Sequence, residues 1–136
     1  MELFKDILKY GLHDSEINKF VIAEEKIEIH FDNGIYKLDS FGKETLKTGK
    51  CVITLFLNNF NANRLYEHIE IYKIRKNKIT EIELHKLNKL IKDYSFEIIL
   101  DYYSMFERAI LLKGYVANNR IEIKLSEIER IQIGFE

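Results

Sequence analysis

The chain has 136 residues, of which 46% are hydrophobic and 32% charged, with 21 basic and 22 acidic side chains and a formal net charge of −1. That length is one domain's worth, spanning 1–136, and the composition excludes a disordered chain or a helical membrane protein. The charge balance excludes a strong overall field for nucleic acid or an anionic membrane and leaves room only for a local patch.

Residues 2–10 read as a short helix, with Leu3, Phe4, Ile7 and Leu8 on one face and Gly11 as a left-handed stop. From Ile17 the period changes to two. Residues 16–24 read as a strand, and Ile27, Ile29 and Phe31 alternate with Lys26, Glu28 and His30. Asp32-Asn33-Gly34 then precedes Ile35 to Leu38, which predicts a hairpin about the Asn-Gly pair. Residues 39–50 are polar and read as a loop or weak edge strand. Cys51 opens an apolar run to Leu55, and Val52 to Leu57 reads as a strand. Cys51 is the lone cysteine, so no intrachain disulfide can form, and it reads as a small buried strand residue rather than a thiolate. Lys50 is its only electropositive neighbour in sequence, where a reactive thiolate would need more.

Residues 58–63 form a turn-rich connection, His68 to Ile74 alternates as a strand, and Lys76-Asn77-Lys78 reads as a turn. A helix is predicted over 81–94. Thr80 and Glu83 have capping-box spacing, Ile79 and Leu84 sit at staple positions, and Ile82, Leu87, Leu90, Ile91 and Tyr94 supply an apolar face. Four strands follow: Phe96 to Tyr103, Arg108 to Val116, Arg120 to Leu125 and Ile128 to Phe135. Their connections are short, which requires antiparallel neighbours. The expected fold is α+β, a largely antiparallel sheet of about six to nine strands with a short N-terminal helix and one central helix.

Chemistry-bearing patterns are sparse. His13, His30, His68 and His85 show no metal-ligand spacing, and no phosphate loop or nucleophile elbow can be drawn through the six glycines. No catalytic residue, metal or cofactor is therefore expected. Lys73, Arg75, Lys76 and Lys78 beside Tyr72 form a basic cluster, read as a solvated edge, and nucleic acid is disfavoured. Tyr102, Tyr103 and Phe106 gather about a hairpin tip. Ordinary core is the favoured reading, because the flanking strands need apolar cover; if exposed they are a candidate partner patch. His13, Asp14 and Ser15 form the one adjacent polar motif. Adjacent His and Asp suit acid–base work or metal binding, while a turn in which Asp14 and Ser15 bond local backbone is the structural reading, and the favoured one.

Leu12-His13-Asp14-Ser15-Glu16-Ile17, followed by Glu28 to Gly34, resembles the opening of a group of small bacterial proteins with a Leu-His-Asp-small-x-Ile motif. Some similar proteins are described as immunity proteins of polymorphic toxin systems, which neutralise a cognate toxin by binding it. The likeness runs from the start of the chain to the Asn33-Gly34 turn; the later helix and the strands about Gly114 fit in order and length only. It implies a non-enzymatic protein-binding domain whose partner is a toxin-like protein or a second copy as a homodimer. The other reading is a small enzyme or ligand-binding module using His13 and Asp14. A reduced thiol and an acidic N-terminal stretch without a signal-peptide pattern lead to a cytoplasmic expectation. No apolar stretch approaches the roughly 18 residues that span a bilayer.

Overall fold

The computed structural model describes residues 2–136. Thirteen strands follow in chain order: β1 (Tyr10–Gly11), β2 (Glu16–Ile17), β3 (Lys19–Ala23), β4 (Lys26–Phe31), β5 (Tyr36–Leu38), β6 (Glu44–Lys47), β7 (Cys51–Leu57), β8 (Ile69–Arg75), β9 (Lys78–Glu81), β10 (Phe96–Ser104), β11 (Ala109–Val116), β12 (Asn119–Leu125) and β13 (Ile128–Phe135). The α-helix α1 (Leu84–Tyr94) lies between β9 and β10, and 3-10 turns occupy Ile7–Lys9 and Ala62–Glu67. The strands make a six-stranded sheet of order β2-β10-β11-β12-β8-β9, a four-stranded sheet β13-β7-β4-β3 and a three-stranded sheet β1-β5-β6. Every pairing is antiparallel. The α+β class and the antiparallel character are as expected, with more strands than the six to nine predicted, the surplus being short pieces such as β1, β2 and β9.

Period-two patterning builds the core directly. Ile27, Ile29 and Phe31 on β4, Cys51, Ile53, Leu55 and Leu57 on β7, and Ile121, Ile123 and Leu125 on β12 are all buried, while the residues between them are not. These side chains join Leu87 and Ile91 of α1 and Phe4 and Ile7 of the N-terminal segment in one hydrophobic cluster. The chain passes between the two larger sheets at β2–β3, β7–β8 and β12–β13. Tight turns at Glu24-Glu25, Lys76-Asn77 and Ala117-Asn118 close the hairpins, each with its first residue at positive φ.

Three local expectations change. Residues 2–10 form only a 3-10 turn at Ile7–Lys9, because Tyr10 and Gly11 pair with Lys37 and Tyr36 as strand β1 and stop helical growth. Gly11 is therefore a strand residue and not a left-handed stop. The turn at Asp32-Asn33-Gly34 forms, with Gly34 at φ 77° and its N–H bonded to the Phe31 carbonyl at 3.1 Å. The flanking strands do not pair with each other, however: β4 lies between β3 and β7, and β5 between β1 and β6. Asn18 Oδ1 accepts from the Asp32 N–H at 2.7 Å and Thr48 Oγ1 from the Ile35 N–H at 3.0 Å, which carries the chain on to another sheet. The hairpin made by β4 lies one step earlier, at Glu24-Glu25.

The central helix begins at Leu84 rather than 81. Thr80 belongs to β9, and Glu83 stands at the N-cap without a side-chain cap bond. The Ile82 N–H donates to the Ile71 carbonyl at 2.9 Å, so the ladder with β8 retains residues the capping box would have used.

Candidate functional site

The Leu12–Ser15 segment is a turn stitched to a bulge in β10. The Ser15 N–H donates to the Leu12 carbonyl at 3.0 Å and the Asp14 N–H to the Ile98 carbonyl at 2.8 Å, while the Ile98 N–H donates to the Ser15 carbonyl at 2.9 Å. The β10 register shifts between Ile98 and Leu100, immediately beside this contact. Asp14 holds φ at 64°. Ser15 is fully buried and its Oγ has no hydrogen-bond partner. Among the described residues the Asp14 side chain makes no bond to backbone, so it is the main chain that ties this turn down.

What the fold adds is Glu44 from β6. His13 Nδ1 lies 3.2 Å from Asp14 Oδ2 and 3.6 Å from Glu44 Oε1. The ligating atoms of the three residues all fall within 4.8 Å of one another. This is a partly exposed polar triad at the junction of the N-terminal turn and the three-stranded sheet. Its spacing in the chain carries no motif, because Glu44 arrives only through the β1-β5-β6 pairing.

The aromatic cluster divides. Tyr103 packs its ring edge-on to Phe4, centroids 5.3 Å apart, and its hydroxyl donates to Asp101 Oδ2 at 2.7 Å. Burial, followed by the Asp101 charge, pushes the Tyr103 hydroxyl pKa far up. It is a packing residue and presents no patch. Tyr102, 48% exposed, points to the opposite face of the six-stranded sheet, and Phe106 is 99% exposed at the β10–β11 tip.

That outer face is legible from register. Tyr102 opposes Leu111, which opposes Lys124; Leu100 opposes Lys113, which opposes Glu122; Tyr115 opposes Arg120. Three ion pairs lie on this face, Lys113–Glu122 at 3.6 Å, Arg120–Glu122 at 3.4 Å and Lys124–Glu107 at 3.4 Å, while Glu97 opposes Tyr115 and Glu70 opposes Lys124 without an ion pair among the described residues. Lys113 Nζ also lies 5.7 Å from the Tyr102 ring centroid. Leu100, Tyr102 and Tyr115 remain exposed among these pairs.

Lys73, Arg75, Lys76, Lys78 and Thr80 line a groove of about 370 Å³ where the sheet runs past the core. Of the other histidines, His30 lies 3.3 Å from Glu28 and His85 3.1 Å from Glu83. His68 is buried against the Phe60 ring with neither ring nitrogen partnered. Cys51 is fully buried, and burial pushes its thiol pKa up to about 11 against a smaller opposing effect from Thr48, as befits an inert core residue. Among the described residues no helix is long and apolar enough to cross a membrane. No family model matches the chain, and neither a curated protein nor a solved structure matches it.

Proposed function

We propose that this chain is a non-enzymatic, cytoplasmic protein-binding domain of the immunity-protein kind, which holds a toxin-like partner against the outer face of its six-stranded sheet. Tyr102 is the anchor and Phe106 lies at the rim. The observation that carries the reading is the exposed Leu100, Tyr102 and Tyr115 set among charges already paired in the chain. The Lys113, Arg120 and Glu122 charges about Leu100 and Tyr102 already have partners, so covering that part of the face strands none of them, and large aromatics provide most of the energy at protein interfaces. The test is capture of purified neighbouring-gene products, comparing the wild type with Tyr102→Asp and Leu100→Asp. Binding should survive a several-fold rise in salt with modest loss and fall at least about tenfold in either variant. A chain that captures none of those products yet binds or turns over a small molecule overturns the reading.

The convergence of His13, Asp14 and Glu44 favours a second reading, a ligand-binding or enzymatic module at that triad. Elemental analysis of protein purified without a nickel column separates the two. Zinc or manganese at one per chain supports the triad; less than about 0.1 per chain leaves the binding-domain reading in place.

A further inference from the structure

Several sheet edges in this fold are guarded. The outer edge of β3 is closed by Asn88 of α1, whose Oδ1 accepts from the Phe20 N–H at 3.0 Å while its Nδ2 donates to the Phe20 carbonyl at 2.9 Å. The edge at β9 is four residues long and carries Lys78 beside the Lys76 turn, and β6 is equally short. The start of β13 is sealed by Arg108: its guanidinium donates to the carbonyls of Ile128 and Glu129 at 2.7 and 2.8 Å, and its carbonyl accepts from the Ile128 N–H at 3.1 Å.

From Ile131 to Phe135 the β13 edge has no such guard among the described residues. Antiparallel ladders alternate, so each residue bonds to one neighbour only. The Leu57 N–H donates to the Glu25 carbonyl at 2.9 Å, turning Leu57, and with it Leu55 and Ile53, towards β4. Their opposite numbers on β13, Ile131 and Ile133, therefore face away from β7. The Glu136 N–H, donating to the Lys50 carbonyl at 2.9 Å, sets the same parity and turns Phe135 outward too. The main-chain groups of Ile131, Ile133 and Phe135 thus form an open edge. A groove of about 310 Å³ runs beside it, with Asp6, Lys9 and Tyr10 of the N-terminal segment on one wall and β13 from Arg130 to Phe135 on the other. The stretch Ile131-Gln132-Ile133-Gly134-Phe135 carries no charge and no proline, the kind of edge that calls for cover.

We propose that the cover is a second copy of this chain, with two β13 strands pairing antiparallel about a two-fold axis at Ile133. Ile133 then opposes Ile133, and Ile131 of one copy opposes Phe135 of the other, which bonds all the outward groups and closes the half-exposed apolar row. In this register Arg130 of one copy faces Glu136 of the other, twice per dimer, so the charges complement one another. A shift of two residues places Arg130 against Gly134 and loses both pairs. The two four-stranded sheets become one eight-stranded sheet. This surface is separate from the Tyr102 face, so the dimer and the partner site stand or fall independently.

Light scattering on the purified chain over a concentration series tests the proposal. The wild type should be a dimer that dissociates on dilution. Ile133→Pro removes an N–H that β7 does not use, so the fold should persist by circular dichroism while the dissociation constant rises by about tenfold or more. Ile133→Lys, which leaves the strand dihedrals unrestricted, should act alike. Arg130→Glu and Glu136→Arg should each weaken the dimer, and the double exchange should recover it. A monomer at every concentration overturns the proposal, as does a dimer indifferent to both Ile133 variants or one abolished by Tyr102→Asp. Single charge variants that weaken the dimer without recovery in the double exchange overturn the register.

Discussion

Asp14 shows why a polar motif in sequence can be a backbone device in the fold. Among the described residues its carboxylate pairs with His13 alone, while its N–H anchors the turn to Ile98 and its φ of 64° lies where L residues are strained. The expected result is that Asp14→Gly matches or exceeds the wild type in denaturant stability, whereas Asp14→Ala loses about 1 kcal/mol. Equal losses in the two variants would point instead to a structural role for the carboxylate. Gly114 marks the other side of the same junction. A Cβ there would collide with the Glu97 carbonyl oxygen, so the β10 bulge and the glycine depend on one another.

Cys51 makes a pH-dependent contribution with a definite sign. Its thiol loses its proton near 9.0 when unfolded and at about 11 when folded. Below pH 9 both states hold the proton and stability is unaffected. Between pH 9 and 11 the unfolded state alone ionises, so stability falls as pH rises, by about 2 kcal/mol across the window. Tyrosines titrate in the same range, and the measurement is therefore the difference between wild type and Cys51→Ala in urea at pH 8 and pH 11. The variant should be less stable at pH 8 through its cavity and should lose less on going to pH 11. A thiol reagent should leave the folded wild type unmodified at pH 8.

At the scale of elements, α1 has two attachments. Leu87 and Ile91 are buried in the core, and Asn88 offers its amide to the main chain of Phe20 as a strand would. Helical spacing places Leu87 and Ile91 on one face and leaves Asn88 looking like an ordinary polar position. Its partner is 68 residues away in the chain, and no local pattern exposes it. Asn88→Ala should cost about 1–2 kcal/mol in chemical denaturation, since it strands two main-chain groups. It should also open the β3 edge, so aggregation on mild heating should increase relative to a surface control such as Lys89→Ala. An Asn88→Ala chain with unchanged midpoint and solubility would show that water serves the edge equally well.

Element ends were the least legible part of the chain for a related reason. Thr80 and Glu83 have the spacing of a capping box, yet the Ile82 bond to Ile71 holds the segment in the sheet. The same competition limits the N-terminal helix to Ile7–Lys9, with β1 claiming the next two residues. Isolated short helices are marginal in water, and a strand ladder that satisfies the same groups prevails.

For the whole molecule, one core joins the N-terminal segment, the sheets and α1, and β13 near the end of the described chain pairs with β7. Unfolding should therefore be a single transition with coincident fluorescence and circular dichroism midpoints. Refolding should be slow for the size, in milliseconds to seconds, because the four-stranded sheet stays incomplete until β13 arrives. Two resolved transitions would divide the core.

Alternation of apolar residues along β4, β7, β8 and β12, and the apolar spacing in α1, determined without further help that this is an antiparallel α+β domain and which side chains fill it. Those patterns are local, and burial rewards them wherever the strands end up. Strand partners were another matter. Nothing near Asn33-Gly34 says that β4 pairs with β3 and β7 rather than with β5, because the choice is made by Asn18, Thr48 and the second sheet. Only the assembled fold brings Glu44 to His13 and Asp14, sends Tyr102 and Tyr103 to different environments, and leaves β13 with an open edge. Each of these depends on main-chain hydrogen bonds between distant segments. Every residue carries the same N–H and C=O groups, so the side-chain sequence records those bonds only faintly.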